Sequence, residues 1–238
     1  VPGTPRSGDV WTRPRGGRRP KLTREAIVEA AIKVADAEGL DAVSIRRVAS
    51  DLGVRAMSLY THIDAKEDLL DLMRDEVTAE VLVQGEQPEG WRDAVTEIAR
   101  KELEAGLRHP WMLQLTGRSR RVGPNGLRHL EQTLAAAARL TGDPDGMVAV
   151  VKAIDHYVLG FTIMEQHRDG AAGEPVQSSP LDQSYVRLMM ERGEFPHLQS
   201  FLGTSFHHDD AFELGLKWLL DGIEHEYRGE WPSTTGPT

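Results

Sequence analysis

Arg55, Ala56, Met57 and Ser58 stand directly after a Leu52-Gly53-Val54 turn, and Tyr60, Thr61, His62 and Lys66 follow close behind. Such a set of donors, with small or flexible apolar side chains between them, suits contact with a polar, anionic surface. In SIRRVASDLGVRAMSLYTHI the small Ala49 lets two helices approach, and Gly53, four residues on, supplies the left-handed turn. Val54 and Leu59 then point inward. Arg55, Ala56, Met57, Ser58, Tyr60 and Thr61 are left at the exposed start and outer face. Two short helices joined by a tight glycine turn and braced by a third present a helix to the DNA major groove. An ordinary helical hairpin with a solvated polar face has the same spacing.

Other chemistry-bearing residues form weaker sets. Asp155 beside His156 has the residue types of a catalytic pair, but neither a G-x-S-x-G elbow nor a Walker A lysine loop is present. His207-His208-Asp209-Asp210 could bind a metal, yet consecutive residues at a helix start cannot all aim at one ion, and an aspartate there reads better as a cap. The chain has no cysteine, which excludes disulfides, a thiol nucleophile and Cys-ligated zinc. We expect no catalytic residues, no metal and no cofactor.

The elements that position these residues read as helical almost throughout. Thr23 caps a first helix with Ile27, Ala30, Ala31 and Val34 at the 3.6-residue period, and Gly39 ends it. Ser44 caps a short second helix carrying Ile45, Val48, Ala49 and Leu52. A third spans Arg55–Thr61. A fourth starts near Ala65 and runs through Leu69, Met73, Val77 and Val81. After a break around Pro88, helical patterns resume at 91–107, 110–115, 124–140, 144–167, 181–191 and 209–227, with Pro110, Pro124 and Pro144 at first-turn positions. The fold class is all-α: an N-terminal three-helix helix-turn-helix domain, joined by the fourth helix to a larger helical domain.

Residues 1–21 read as a flexible basic arm and 168–180 as a mobile connector. The arm's Arg13, Arg15, Arg18 and Arg19 can enter a minor groove or add only general electrostatic affinity. The net charge of −9 over 238 residues is unevenly spread: residues 1–66 hold 12 Lys/Arg against 8 Asp/Glu, and residues 67–238 hold 16 against 29. A polyanion is drawn to one end and repelled by the rest. No signal sequence or membrane-spanning run is expected, so the expected location is the cytoplasm.

The run Leu22–Leu70, with Glu38-Gly39 closing its first helix, Ser44 opening the second, Ala49–Leu52–Gly53–Val54 at the turn and Leu59-Tyr60-Thr61-His62 leading to Lys66, strongly resembles the DNA-binding domain of the TetR family. The resemblance implies that Ser44 donates to a phosphate and that Arg46 reaches the backbone or a base edge. It places Arg55, Ala56, Met57 and Ser58 on the bases: Arg55 suits guanine O6 and N7, while Ala56 and Met57 suit thymine methyls. Tyr60, Thr61, His62 and Lys66 would hold phosphates. Tyr60 and His62 have a second reading as packing residues at the junction of the third and fourth helices.

Residues beyond 66 form the expected effector-binding and dimerisation domain, 67–238. The 144–167 helix carries Val150, Ile154, Tyr157, Phe161 and Met164 on one stripe and Val151, Val158 and Leu159 on another, so it needs partners on more than one face. The last helix places Phe212, Leu216, Leu219 and Ile223 on one side. Its Gly215 and Gly222, unfavourable inside a helix by about 1 kcal/mol each, fit close packing. Val151, Val158, Phe212, Gly215, Leu216, Leu219, Gly222 and Ile223 are therefore the expected dimer interface.

The segments from His109 to Gly142 and from Ala153 to Gln166 resemble the tetracycline-repressor branch, which implies a helical ligand pocket in each subunit. That branch's magnesium ligands fall at Thr116 and Met164, neither suited to the ion. An apolar or aromatic effector lined by Trp111, Met112, Leu115, Tyr157, Phe161 and Met164 is expected instead. The sequence thus reads as a homodimeric repressor released from a palindromic operator by a small molecule. The alternatives are an activator or partner-triggered regulator with the same DNA module, or a small helical enzyme.

Overall fold

A computed structural model describes residues 22–116, 121–170, 184–191, 193, 195–199 and 210–228. The basic arm, most of the 168–180 connector and His207, His208 and Asp209 lie outside the described residues. Within them all regular structure is helical: α1 Arg24–Glu38, α2 Ile45–Asp51, α3 Ala56–Leu59, α4 Lys66–Val81, α5 Trp91–Arg108, α6 Met112–Leu115, α7 Pro124–Ala137, α8 Pro144–Gly170, α9 Ser184–Glu191, α10 Pro196–Gln199 and α11 Ala211–Arg228. The chain divides into two compact units, one ending at Thr162 and one beginning at Ile163.

In the first unit α1 starts where Thr23 Oγ1 accepts the Ala26 N–H at 3.1 Å. Ile27, Val28, Ala31, Val34 and Ala35 form its buried face. That face joins one core with Val48 and Ala49 of α2, Leu59, Met73 and Val77 of α4, Trp111 and Leu115. The boundary expected at residue 66 therefore falls at the first residue of α4, where packing runs on without a gap.

The corner between α5 and α6 is fastened to α1 by polar groups as well. Trp111 Nε1 donates to Asp36 Oδ1 at 2.6 Å, and His109 Nδ1 lies 2.7 Å from the same oxygen. His109 is buried and its Nε2 lies 3.3 Å from Glu80 of α4.

One side of α4 is acidic and buried. Asp68, Asp71 and Asp75 are at most 7% exposed. At spacings of three and four residues they lie on one helix face. Arg121 reaches Asp68 at 3.0 Å and Asp71 at 2.7 Å. Asp75 Oδ1 accepts the N–H groups of Asn125 and Gly126, each at 3.0 Å. A side chain of α4 thus caps the start of α7, satisfying N–H groups that a helix leaves open and complementing its dipole.

Helix α8 buries Val150, Ile154, Val158 and Thr162. A Cβ on Gly106 of α5 would come within 2.8 Å of Thr162 Cγ2, so α5 and α8 cross closely there. By length and composition alone Pro144–Arg168 is apolar enough to span a membrane, a test that the core helix of a soluble protein also passes. It also carries the exposed polar residues Lys152, Asp155 and His156. Only 22% of its apolar window is buried, so much of the helix is uncovered in the single chain. In the second unit α11 buries Phe212, Leu216 and Leu220, and α9 buries Met190.

Candidate nucleic-acid interface and effector cleft

The α2–turn–α3 unit takes its shape from three local features. Ser44 is extended and its Oγ accepts the Arg47 N–H at 3.2 Å, capping α2. Gly53 sits at φ +65°, the left-handed region, and the Val54 N–H returns to the Ala49 carbonyl at 3.0 Å. Leu59 and Ile63 are fully buried, which pins α3 by its inner face. Helix α3 is one turn long, shorter than the expected Arg55–Thr61. Thr61 Oγ1 donates to the Ser58 carbonyl at 2.7 Å, while the His62 and Ile63 N–H groups share the Leu59 carbonyl. A side chain that bonds back to the main chain competes with helix continuation.

Ser44, Arg46, Arg55, Met57, Tyr60 and Thr61 are exposed; Ser58, His62 and Lys66 are half-buried. Met57 is 73% exposed, so its thioether is free to meet a partner's apolar surface. Ala56 packs against the core, so less of it is free to face a base than expected. The three nearby arginines divide sharply. Arg47 is clasped by Glu38 at 2.6 Å and by Asp51, and both bonds hold its pKa above the ordinary value. Arg46 and Arg55 have no ion-pair partner among the described residues. Ser44 spends only a lone pair on its cap, so its hydroxyl proton remains available to an acceptor.

The expected effector residues have different surroundings. Trp111 and Leu115 belong to the core shared with α1 and α4, and Met112 packs against it. Tyr157 and Phe161 are half-buried with ring centroids 6.3 Å apart. Met164 is 70% exposed, not inward. The close crossing at Gly106 and Thr162 sets which face of α8 turns in, and Met164, two residues further, lies about 200° round the helix. The residues of the expected dimer face differ in exposure within the single chain. Val158, Phe212 and Leu216 are buried within the single chain, Gly215, Leu219 and Ile223 are half-buried, and Gly222 is exposed with open space around it. Val148, Met164, Trp218 and Tyr227 are the large apolar side chains left exposed on these helices.

A narrow, partly open cleft with a cavity of only about 10 Å³ lies between α5, α7 and α8. Val95, Ile98, Thr133, Val150, Val151 and Ile154 line it together with the carboxylates Glu102 and Asp155. Val151, expected at the dimer interface, is one of its walls. Glu102 Oε1 is 2.9 Å from His129 Nε2. Asp155 is exposed along its helix, yet the crowding of its carboxyl, and then the charge of Glu102, push its pKa up to about 6 against the opposing pull of His129 and His156. Sequence reasoning missed this cleft because its walls come from three helices distant in the chain.

The family model described as "Bacterial regulatory proteins, tetR family" matches residues 27–73. A second, "Tetracyclin repressor-like, C-terminal domain", matches residues 84–227. The HTH-type transcriptional repressor DrrR1 of Streptomyces coeruleorubidus is 36% identical over 91% of this chain and 82% of its own length. An HTH-type transcriptional regulator of Saccharopolyspora erythraea is 32% identical over 91% of both chains. Among solved structures, apo ActR of Streptomyces coelicolor superposes with a TM-score of 0.70 at 28% identity, over 90% of this chain and all of that one. ActR in complex with actinorhodin gives 0.67 at 28% identity, over 87% of this chain and 98% of that one. The paired matches span the helix-turn-helix and most of the helical body beyond it, and the chain belongs to the tetR family of bacterial regulatory proteins as a DNA-binding transcriptional regulator.

Proposed function

We propose that this regulator is a cytoplasmic repressor, that it binds a near-palindromic operator as a homodimer, and that a small molecule in the α5–α7–α8 cleft releases it. The observation that carries the reading is the outward, unpaired placement of Arg46 and Arg55 around a braced α2–turn–α3, beside a neutralised Arg47. In this reading Arg55, Met57 and Ser58 face base edges, with Ala56 contributing a methyl at the margin. Ser44, Arg46, Tyr60, Thr61, His62 and Lys66 hold the backbone. DrrR1 is a repressor by name and ActR is known bound to a small molecule, which supports both halves of the proposal.

Release needs a mechanical link from cleft to α3. Helix α5 lines the cleft and crosses α8 tightly at Gly106. It ends at the His109–Trp111 corner, which is bonded to Asp36 of α1 and lies beside Glu80 of α4. A ligand that wedges α5 outward would drag α1 and α4, and the recognition helix with them. Displacing two recognition helices from a spacing of about 34–36 Å removes their fit to successive major grooves. The dimer is supported by uncovered apolar surface: Val148 and Met164 on α8, Trp218 and Tyr227 on α11, and bare glycines at Gly160 and Gly222.

A gel shift on the DNA upstream of the regulator's own gene tests the proposal. A retarded band lost in Arg46→Ala/Arg55→Ala is expected. No retardation of that DNA, or a band unchanged in the double variant, contradicts it.

A further inference from the structure

Helix α4 begins without the side-chain cap that opens α1 and α2: Ala65 stands at the capping position and its side chain offers no oxygen. Asp68, one turn in, reaches back in its place, and its Oδ2 accepts the Asp64 N–H at 3.3 Å. Asp64 closes the short turn that carries the chain out of α3. The other oxygen of the same carboxylate accepts Arg121 Nη1 at 3.0 Å. One buried side chain thus joins the turn behind the recognition helix to the segment that leads into α7, 53 residues on. Arg121 is held on two more sides: its Nε faces Asp71 Oδ2 at 2.7 Å, and Arg74 donates to its carbonyl. Its side chain is nevertheless 41% exposed and borders an open groove of about 400 Å³, whose other walls include Thr78, Val122 and Gly126. Close packing would fix the guanidinium in place; the groove leaves it room to turn away from Asp68 without displacing a neighbour.

We infer that Arg121 is a positioning residue for operator binding: through Asp68 it sets the turn between α3 and α4, and so the pose of the recognition helix. This deepens the DNA-binding reading proposed above and rests on it. The His109 corner meets α4 near Glu80, in its last turn, whereas Arg121 grips it in its first. The helix that follows α3 is therefore tied to the body at both ends. With Arg121 in place the Asp68 carboxylate is paired and the turn is fixed. With Arg121 swung into the groove, the turn loses this tie to the body, and a shift of the segment before α7 is felt at α3. Two arrangements of one ion pair are the kind of element that couples distant sites.

The test measures operator affinity of the full chain by fluorescence anisotropy, on the duplex that wild type selects from a random pool. Arg121→Ala and Asp68→Asn should each lose about tenfold or more, and the double variant no more than either alone, because both cut one link. Asp68→Asn keeps an oxygen for the Asp64 N–H and removes only the charge. Asp71→Asn takes away the other acid on Arg121 but spares the Asp68 link, and should bind within about twofold of wild type. It disturbs the same ion cluster, so it separates positioning from a general loss of stability. If Arg121→Ala does not fold, Arg121→Lys keeps a charge beside the buried acids. Its single nitrogen cannot span both carboxylates, and its affinity should fall between wild type and Asp68→Asn. Unchanged affinity in Asp68→Asn, additive losses in the double variant, or an equal loss in Asp71→Asn overturns the role of Arg121 and leaves the DNA-binding reading standing. A wild-type chain that selects no duplex overturns that reading, and the role of Arg121 with it.

Discussion

Arg46, Arg47 and Arg55 carry the same guanidinium and differ in what stands beside them. Two acids hold Arg47 to its own helix and to the end of α1, so its charge is spent inside the domain. Arg55→Ala should weaken operator binding by about 1–3 kcal/mol and relax preference at one base position. Arg47→Ala should leave base preference unchanged. Fluorescence anisotropy on operator variants measures both, and equal loss for Arg55→Ala on every sequence would make Arg55 a phosphate contact. Asp155 supplies a second test at this scale. Its carboxyl titrates near pH 6 in the folded chain against about 3.9 unfolded, so the folded state holds the proton more tightly. The stability this gives is complete below the unfolded value and is lost as pH rises through 6. Asp155→Asn should accordingly melt higher than wild type at neutral pH and show little advantage near pH 4, in thermal scans across that window.

Local chemistry decided which elements the sequence revealed. The Thr23 and Ser44 caps, the Gly53 turn and the inward Leu59 act within a few residues of one another, so the helix-turn-helix was legible from spacing alone. The acidic face of α4 was not. Asp68, Asp71 and Asp75 look like a solvated stripe until Arg121 and the start of α7, about fifty residues on, close over them. The cleft was hidden for a related reason. Val158 and Met164 are both apolar, and only the crossing of α5 at Gly106 decides that one turns in and the other out. Asp155, set aside as half of an unsupported catalytic pair, became a cleft residue once α5 and α7 were placed beside it. The cap on α7 has its own consequence. Asp75→Ala leaves two N–H groups without their acceptor and should destabilise the chain by about 1–2 kcal/mol in urea titration. A loss within error would mean that water replaces the carboxylate there.

Across the whole molecule, the uneven charge, the uncovered apolar helices and the two family matches favour a dimer that meets DNA with its N-terminal side. Trp218 is 63% exposed in the single chain, so Trp218→Glu should spare the fold while splitting the dimer. Sedimentation should show monomer at micromolar concentration with unchanged circular dichroism; an intact dimer would place the interface elsewhere. The central claim, that two copies of this helix-turn-helix read DNA in register, is tested most directly by selecting bound duplexes from a random pool. The account predicts a near-palindrome whose half-sites lie about one helical turn apart, 34–36 Å, with one half-site position degraded in Arg55→Ala. Enrichment of single, unpaired sites, or of no sequence at all, would contradict it.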